Sequence, residues 1–202
     1  IRLFTPPGKE SNICSTHPLH PTGICKTQKG GILVCLADCS SQVMASTRTG
    51  EVHHINTSGR ILHIYNQTGE KEKYIFKHPQ RIAENRNTDL CVVDLLDKNW
   101  RSRLVVVSST SSIRFTYYGQ PKLKEEFRSY DVCCDEAGRI LVTDLLNHAI
   151  HLLREDGHFL QYVLTEESPI FKPTCIGLHG DTLWVGGAKS VVRVYQYSDK
   201  EN

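Results

Sequence analysis

The segment Val132-Cys133-Cys134-Asp135-Glu136-Ala137-Gly138-Arg139-Ile140-Leu141-Val142-Thr143-Asp144 holds two short apolar runs separated by a turn. It continues through Ile150-His151-Leu152-Leu153, a second turn at Glu155-Asp156-Gly157, and Phe159-Leu160-Gln161-Tyr162-Val163. Short β-branched and aromatic runs between glycine-bearing turns read as four consecutive strands. The same grammar recurs along the chain. Val132 leads to Ile140-Leu141-Val142 at an offset of eight, and the same offset links Ile24 to Ile32-Leu33-Val34 and Ile82 to Leu90-Cys91-Val92-Val93. Ile176 leads to Leu183-Trp184-Val185 at an offset of seven. Third runs follow at Val52-His53-His54-Ile55, Leu104-Val105-Val106-Val107 and Val191-Val192-Arg193-Val194. Fourth runs follow at Ile61-Leu62-His63-Ile64-Tyr65 and Ile113-Arg114-Phe115-Thr116-Tyr117, and the last copy lacks one.

The anchors Ile24, Ile82, Val132 and Ile176 lie 58, 50 and 44 residues apart. Four strands per unit at a period of roughly 40–50 residues predict an all-β fold of β-propeller blades. No stretch carries a sustained i, i+3, i+4, i+7 stripe, so few helices are expected. The expected division is a blade remnant or linker at 1–21, blades at 22–69, 79–119, 130–164 and 173–197, and a tail at 198–202. A closed four-bladed ring is one arrangement, since propellers run from four to eight blades.

Composition narrows the class. The chain has 202 residues, 24 Lys+Arg against 22 Asp+Glu, and a net charge of +2, so no polyanion partner is obligatory. Its 39% apolar content suffices for a core and is too ordinary for disorder. No apolar run approaches the roughly 18–20 residues of a membrane span, and no membrane partner is expected. The start at Ile1 and the lone, internal Met44 lead to the expectation that further blades or domains of the same polypeptide lie upstream.

The blade grammar resembles the NHL-repeat propeller at the C-terminus of tripartite-motif (TRIM-like) ubiquitin ligases. The resemblance is carried by Arg81-Ile82-Ala83-Glu84-Asn85 with Asp89-Leu90-Cys91-Val92-Val93-Asp94, and by Asp131 to Asp144 with Asn147-His148-Ala149-Ile150-His151. The close, Leu183-Trp184-Val185-Gly186 and Val192-Arg193-Val194-Tyr195, is similar to the last blade of such a domain. The likeness covers roughly residues 22–197 and implies a ring of six blades, with about two expected upstream of Ile1, rather than a closed ring of four. The family's Asp after the second strand stands at Asp94 and Asp144 but is replaced by Leu36 and Gly187 in the other copies. The resemblance implies an interaction module that recruits a protein substrate or adaptor for ubiquitination. Catalysis would belong to a RING finger outside these residues, and any zinc to that RING or B-box. RNA binding in post-transcriptional regulation is the alternative that the family also implies.

Of the eight cysteines, those in the strands read as packing residues. Cys25 and Cys133 share a repeat position with Ala83 and Gly177, and Cys91 shares one with Leu33, Leu141 and Trp184. A position that alternates Cys with Ala, Gly or Leu uses the thiol as a small hydrophobe. Reduced thiols favour a cytoplasmic location over secretion, despite sequons at Asn56-Thr57-Ser58 and Asn66-Gln67-Thr68. Cys35-x3-Cys39 with His53 lacks a histidine at finger spacing. Cys14, His17, His20 and Cys25 are the right ligand types for zinc, but their spacing is not standard and Cys25 has a packing role.

No catalytic motif appears, so no catalytic residue and no metal ligand is assigned. A metal-dependent propeller hydrolase or lactonase, the second alternative, would draw on Glu84, Asn85, Asp94, Asp131, Asp135 and Asp144. Closure of turns by side-chain bonds to backbone N–H is the preferred role for Asp94 and Asp144, because two of the four copies lack the Asp. Recognition is expected in the loops from strand two to three and from strand four to the next blade. The second blade carries Leu95 to Arg103 there, with Lys98, Trp100, Arg101 and Arg103. Trp and Arg dominate interface hot spots. Arg48 in the first blade, and Lys122 and Arg128 in the Tyr118–Tyr130 loop, complete the expected partner-binding set.

Overall fold

The computed structural model describes residues 1–38, 50–67, 74–188 and 190–197. Among the described residues all regular structure is β, and no helix is long and apolar enough to cross a membrane. A short hairpin, β1 (Arg2–Thr5) and β2 (Lys9–Asn12), comes first. Blade one is β3 (His20–Lys26), β4 (Ile32–Ala37), β5 (Glu51–Ile55) and β6 (Ile61–Tyr65). Blade two is β7 (Pro79–Glu84), β8 (Leu90–Leu95), β9 (Ser102–Val107) and β10 (Ile113–Tyr117). Blade three is β11 (Val132–Cys134), β12 (Ile140–Asp144), β13 (Ala149–Leu153) and β14 (Phe159–Leu164). Blade four holds three described strands, β15 (Pro173–His179), β16 (Thr182–Gly187) and β17 (Val191–Gln196). Every blade is an antiparallel meander, so the chain is an all-β propeller, as its repeats predict.

The second strand of a blade is apolar on both faces because each face meets a different core. Leu90 and Val92 of β8 pack with Leu33, Cys35 and Ile82 between blades one and two. Cys91 and Val93 of the same strand pack with Val132, Ile140 and Val142 between blades two and three. Period-two alternation thus divides one strand between two interfaces. Leu141 repeats the device between blades three and four, with Leu183 and Val185. The inner strands pack in sequence, β3 on β7, β7 on β11 and β11 on β15. Among the described residues β15 has no packing of that extent on β3, unlike a closed four-bladed ring. One face of blade four accordingly leaves Trp184, Val192 and Val194 exposed.

Turns at one end of the blades repeat with the strands. The amides of Thr27, Asn85 and Asp135 donate to the carbonyls of Gly31, Asp89 and Arg139. Each turn needs one left-handed residue, held by Gly30 (φ +85°), Thr88 (φ +65°) and Gly138 (φ +87°). A β-branched residue is strained there, so blade two holds its turn at a cost that its neighbours avoid. Blades are also tied together at this end: Asn85 Nδ2 donates to Gly138 O at 2.8 Å, and the Tyr197 hydroxyl donates to Asp135 Oδ2 at 2.7 Å.

The repeat-matched thiols Cys25, Cys91 and Cys133 are buried or half-buried, whereas Cys175 of β15 is exposed. Cys35 and Cys91 are fully buried, and Cys91 and Cys134 meet across blades two and three, Sγ to Sγ 3.7 Å. Burial pushes the Cys25 thiol up to about 12 and raises Cys35, while Cys134 is raised first by its contact with Cys91 and then by burial. All seven described cysteines are free. Cys39 lies outside the described residues.

Candidate functional site

The opposite end of the blades carries the long loops. There the 96–101 loop joins β8 to β9, and the 118–131 loop joins β10 to β11. Asp97 organises the first. Its Oδ1 accepts the amides of Asn99 at 2.9 Å and Arg101 at 3.4 Å, while the Leu96 amide donates to Arg101 O at 2.7 Å. The Arg101 guanidinium closes on Asp97 Oδ2, and that hydrogen bond holds the Asp97 carboxyl below the usual carboxylate range. This cage places Trp100 in a left-handed conformation, φ +63°, with its amide on Asp97 O at 3.1 Å.

The indole does not fold inward. Trp100 is 46% exposed and lies parallel to the Tyr130 ring, centroids 6.0 Å apart and planes 10° apart. Arg128 stitches the two loops, donating from Nη2 to Asn99 O at 2.8 Å and from its amide to Asp144 Oδ1 at 3.3 Å. Lys98 and Arg101 are exposed beside the stack. The result is a stacked, partly exposed aromatic pair in a hydrogen-bonded loop, with Lys98 and Arg101 exposed on either side of Trp100 in the chain.

The expected set is therefore split. Lys98, Trp100, Arg101 and Arg128 come together. Lys122 is exposed at the tip of the second loop, lining a neighbouring cleft. Arg48 lies outside the described residues. Arg103 has an internal task. It is the cross-strand partner of Asp94, donating to Asp94 Oδ2 from Nε at 3.0 Å and Nη2 at 2.8 Å, and from Nη2 to Ile75 O at 2.9 Å. Sequence reasoning missed Tyr130, which belongs to a loop about thirty residues distant and shows no periodic signal.

Asp94 is fully buried and also accepts the amides of Lys77 at 2.9 Å and His78 at 2.7 Å. Burial raises its carboxyl from the ordinary value, and Arg103 works against that. Asp144 repeats the role in blade three, accepting the Arg128 amide and Asn147 Nδ2, the latter at 2.8 Å. Each Asp after a second strand thus closes the incoming loop. In blade four the position is Gly187, where a Cβ would lie 2.5 Å from Phe171 O, so no side chain fits. The six polar residues considered for hydrolysis fall at two ends. Glu84, Asn85 and Asp135 adjoin the short turns, whereas Asp94, Asp131 and Asp144 adjoin the long loops. Among the described residues no three His, Cys, Asp or Glu side chains gather as a metal site, Cys14, His17, His20 and Cys25 included.

No protein-family model matches the chain, and no curated protein matches it. Solved structures do. A Bacteroides caccae protein of unknown function matches with a TM-score of 0.63 at 14% identity, over 91% of this chain and 62% of that one. Virginiamycin B lyase from Staphylococcus aureus matches with a TM-score of 0.57 at 14% identity, over 98% and 63%. A putative gluconolactonase matches with a TM-score of 0.60 at 15% identity, over 96% and 67%. These are β-propeller proteins, and at such identities the likeness shows the fold alone. The chain spans about three fifths of the length of the first of them, 62%.

Proposed function

We propose that this propeller is an interaction module whose long-loop face binds a protein partner through the Trp100–Tyr130 platform. One observation carries the reading: an indole held in an Asp97-organised loop, stacked on Tyr130, and still 46% exposed. Rigid, exposed aromatics bordered by Arg are the usual anchors of interfaces, because little side-chain entropy remains to be lost on binding. The resemblance to TRIM-like propellers makes the partner a substrate or adaptor for ubiquitination, with ligation performed by a RING finger outside these residues. The cytoplasmic location inferred from the buried thiols agrees with that role.

The test is capture of partners on immobilised protein, with and without nuclease, for the natural chain and Trp100→Ala. Protein partners retained after nuclease and lost in the variant support the reading. Partners lost on nuclease treatment, with steeply salt-dependent retention, point to RNA stacked on the same platform. Hydrolysis of lactones has support of a different kind. A putative gluconolactonase is among the proteins that share the fold. Turnover of a lactone panel, abolished by chelator and unaffected by Trp100→Ala, would favour that reading over binding.

A further inference from the structure

Blade four breaks a pattern that the other three blades keep. In each complete blade the third strand pairs on both edges: β5 with β4 and β6, β9 with β8 and β10, β13 with β12 and β14. Among the described residues β17 pairs with β16 alone, so one row of its backbone N–H and C=O groups has no partner strand. An open row of that kind is a template for a further strand.

The face beside that edge is open as well. Val192 lies opposite Gly186, as Leu104 lies opposite Val93 and Ile150 opposite Thr143. Val194 lies opposite Trp184, as Val106 lies opposite Cys91 and Leu152 opposite Leu141. Leu104, Val106, Ile150 and Leu152 are buried, whereas Val192 is 68% and Val194 61% exposed. The other blades show what belongs on such an edge. Each fourth strand sets a large side chain beside the residue equivalent to Val192: Tyr65 opposite Val52, Tyr117 opposite Leu104 and Leu164 opposite Ile150. All three are buried in the core between their own blade and the next.

We infer that β17 takes an extended segment of a partner polypeptide as the fourth strand of blade four, antiparallel to it, with an aromatic residue or leucine opposite Val192. In strand addition of this kind main-chain hydrogen bonds supply affinity and alternate side chains supply selectivity. Two other occupants fit less well. Every other described strand of this chain already belongs to a sheet, so none is free to fill the edge. A second copy pairing through its own β17 offers Val192, Val194 or Gln196 on that side of the sheet, because side chains alternate, and none of these is aromatic or leucine. The surface lies at the outer edge of blade four and uses neither Trp100 nor Tyr130, so it goes beyond the platform reading.

The experiment measures fluorescence anisotropy of a fluorescein-labelled octapeptide with the sequence of residues 111–118, which carries the fourth strand of blade two. In the register of blade two its Tyr117 falls opposite Val192. Val192→Ser in the protein and Tyr117→Ser in the peptide are each expected to weaken binding about tenfold, the worth of one buried apolar side chain. Backbone pairing has a signature that apolar adhesion lacks. Alternate residues of an added strand direct their N–H groups at β17, and the rest direct them at solvent. Of two peptides N-methylated at alternate residues, one on each set, one is expected to lose binding and the other to keep it. Equal effects of the two methylation sets overturn the inference, as does failure of the unmodified peptide to bind. Trp100→Ala is expected to leave peptide affinity unchanged; loss of peptide binding in that variant puts the peptide on the platform and overturns the inference. Partner capture lost in Trp100→Ala, with no binding of the peptide, keeps the platform and removes the edge. Sedimentation of the chain alone is expected to show a monomer, and a dimer that Val192→Ser dissolves would give the edge to a second copy and overturn the inference.

Discussion

Arg103→Ala separates a residue that builds the binding face from one that contacts a partner. In the folded chain the Asp94 carboxylate is fully buried, and among the described residues Arg103 is its only side-chain cation. Truncation leaves that charge with two backbone amides, from Lys77 and His78. Breaking a buried pair by removing one partner costs about 3–5 kcal/mol. For a chain of this size each kcal/mol moves the melting temperature by roughly 2–4 °C, so a fall of about 6–20 °C is expected. The loss depends on pH with a definite sign. Burial already raises the Asp94 carboxyl above its unfolded value, and losing Arg103 raises it further. Such a group destabilises the fold while ionised, above the unfolded value near about 4, and less as acid protonates it. The deficit of Arg103→Ala against the natural chain is therefore largest near neutral pH and shrinks toward about pH 4–5. Urea unfolding across that range is the assay. The double variant Arg103→Met with Asp94→Asn, which removes the stranded charge, should recover part of the loss. An Arg103→Ala chain that melts within about 2 °C of the natural one but fails to capture partners would refute the internal role.

Two further predictions concern the repeats. Thr88→Gly gives blade two the residue type that blades one and three carry in the same turn, and should stabilise the chain by about 1 kcal/mol in urea unfolding; a loss of stability would show that the Thr88 side chain makes a compensating contact. Native-state labelling with a disulfide reagent should modify the exposed Cys175 rapidly and the buried Cys35 and Cys91 only on unfolding; prompt labelling of Cys91 would contradict the packed interface between blades two and three.

The fold was legible because the second strands are unusual. A continuous run such as Leu90-Cys91-Val92-Val93 is expected only where both faces of a sheet are covered, and four such runs at regular spacing leave few architectures. The thiols were legible for a related reason, since substitution by Ala, Gly or Leu at matching positions reports a packing volume. The site was legible in part. Trp100 stood out by type and place, but Arg101 and Arg103 look alike in sequence. Their separation depends on where β9 begins: Ser102 opens the strand, so Arg103 falls into register opposite Asp94 while Arg101 stays in the Asp97 loop. Tyr130 and the cleft were not legible, because both arise from loops brought together by blade packing rather than by local spacing.

The platform is tested most directly by titrating one partner that survives nuclease treatment against the natural chain and Trp100→Ala. A hot-spot indole costs at least about 2 kcal/mol when truncated, or roughly 30-fold in Kd. The expected result is a loss of that size with an unchanged melting temperature. An unchanged Kd for a folded Trp100→Ala chain would contradict the assignment of this face as the binding surface.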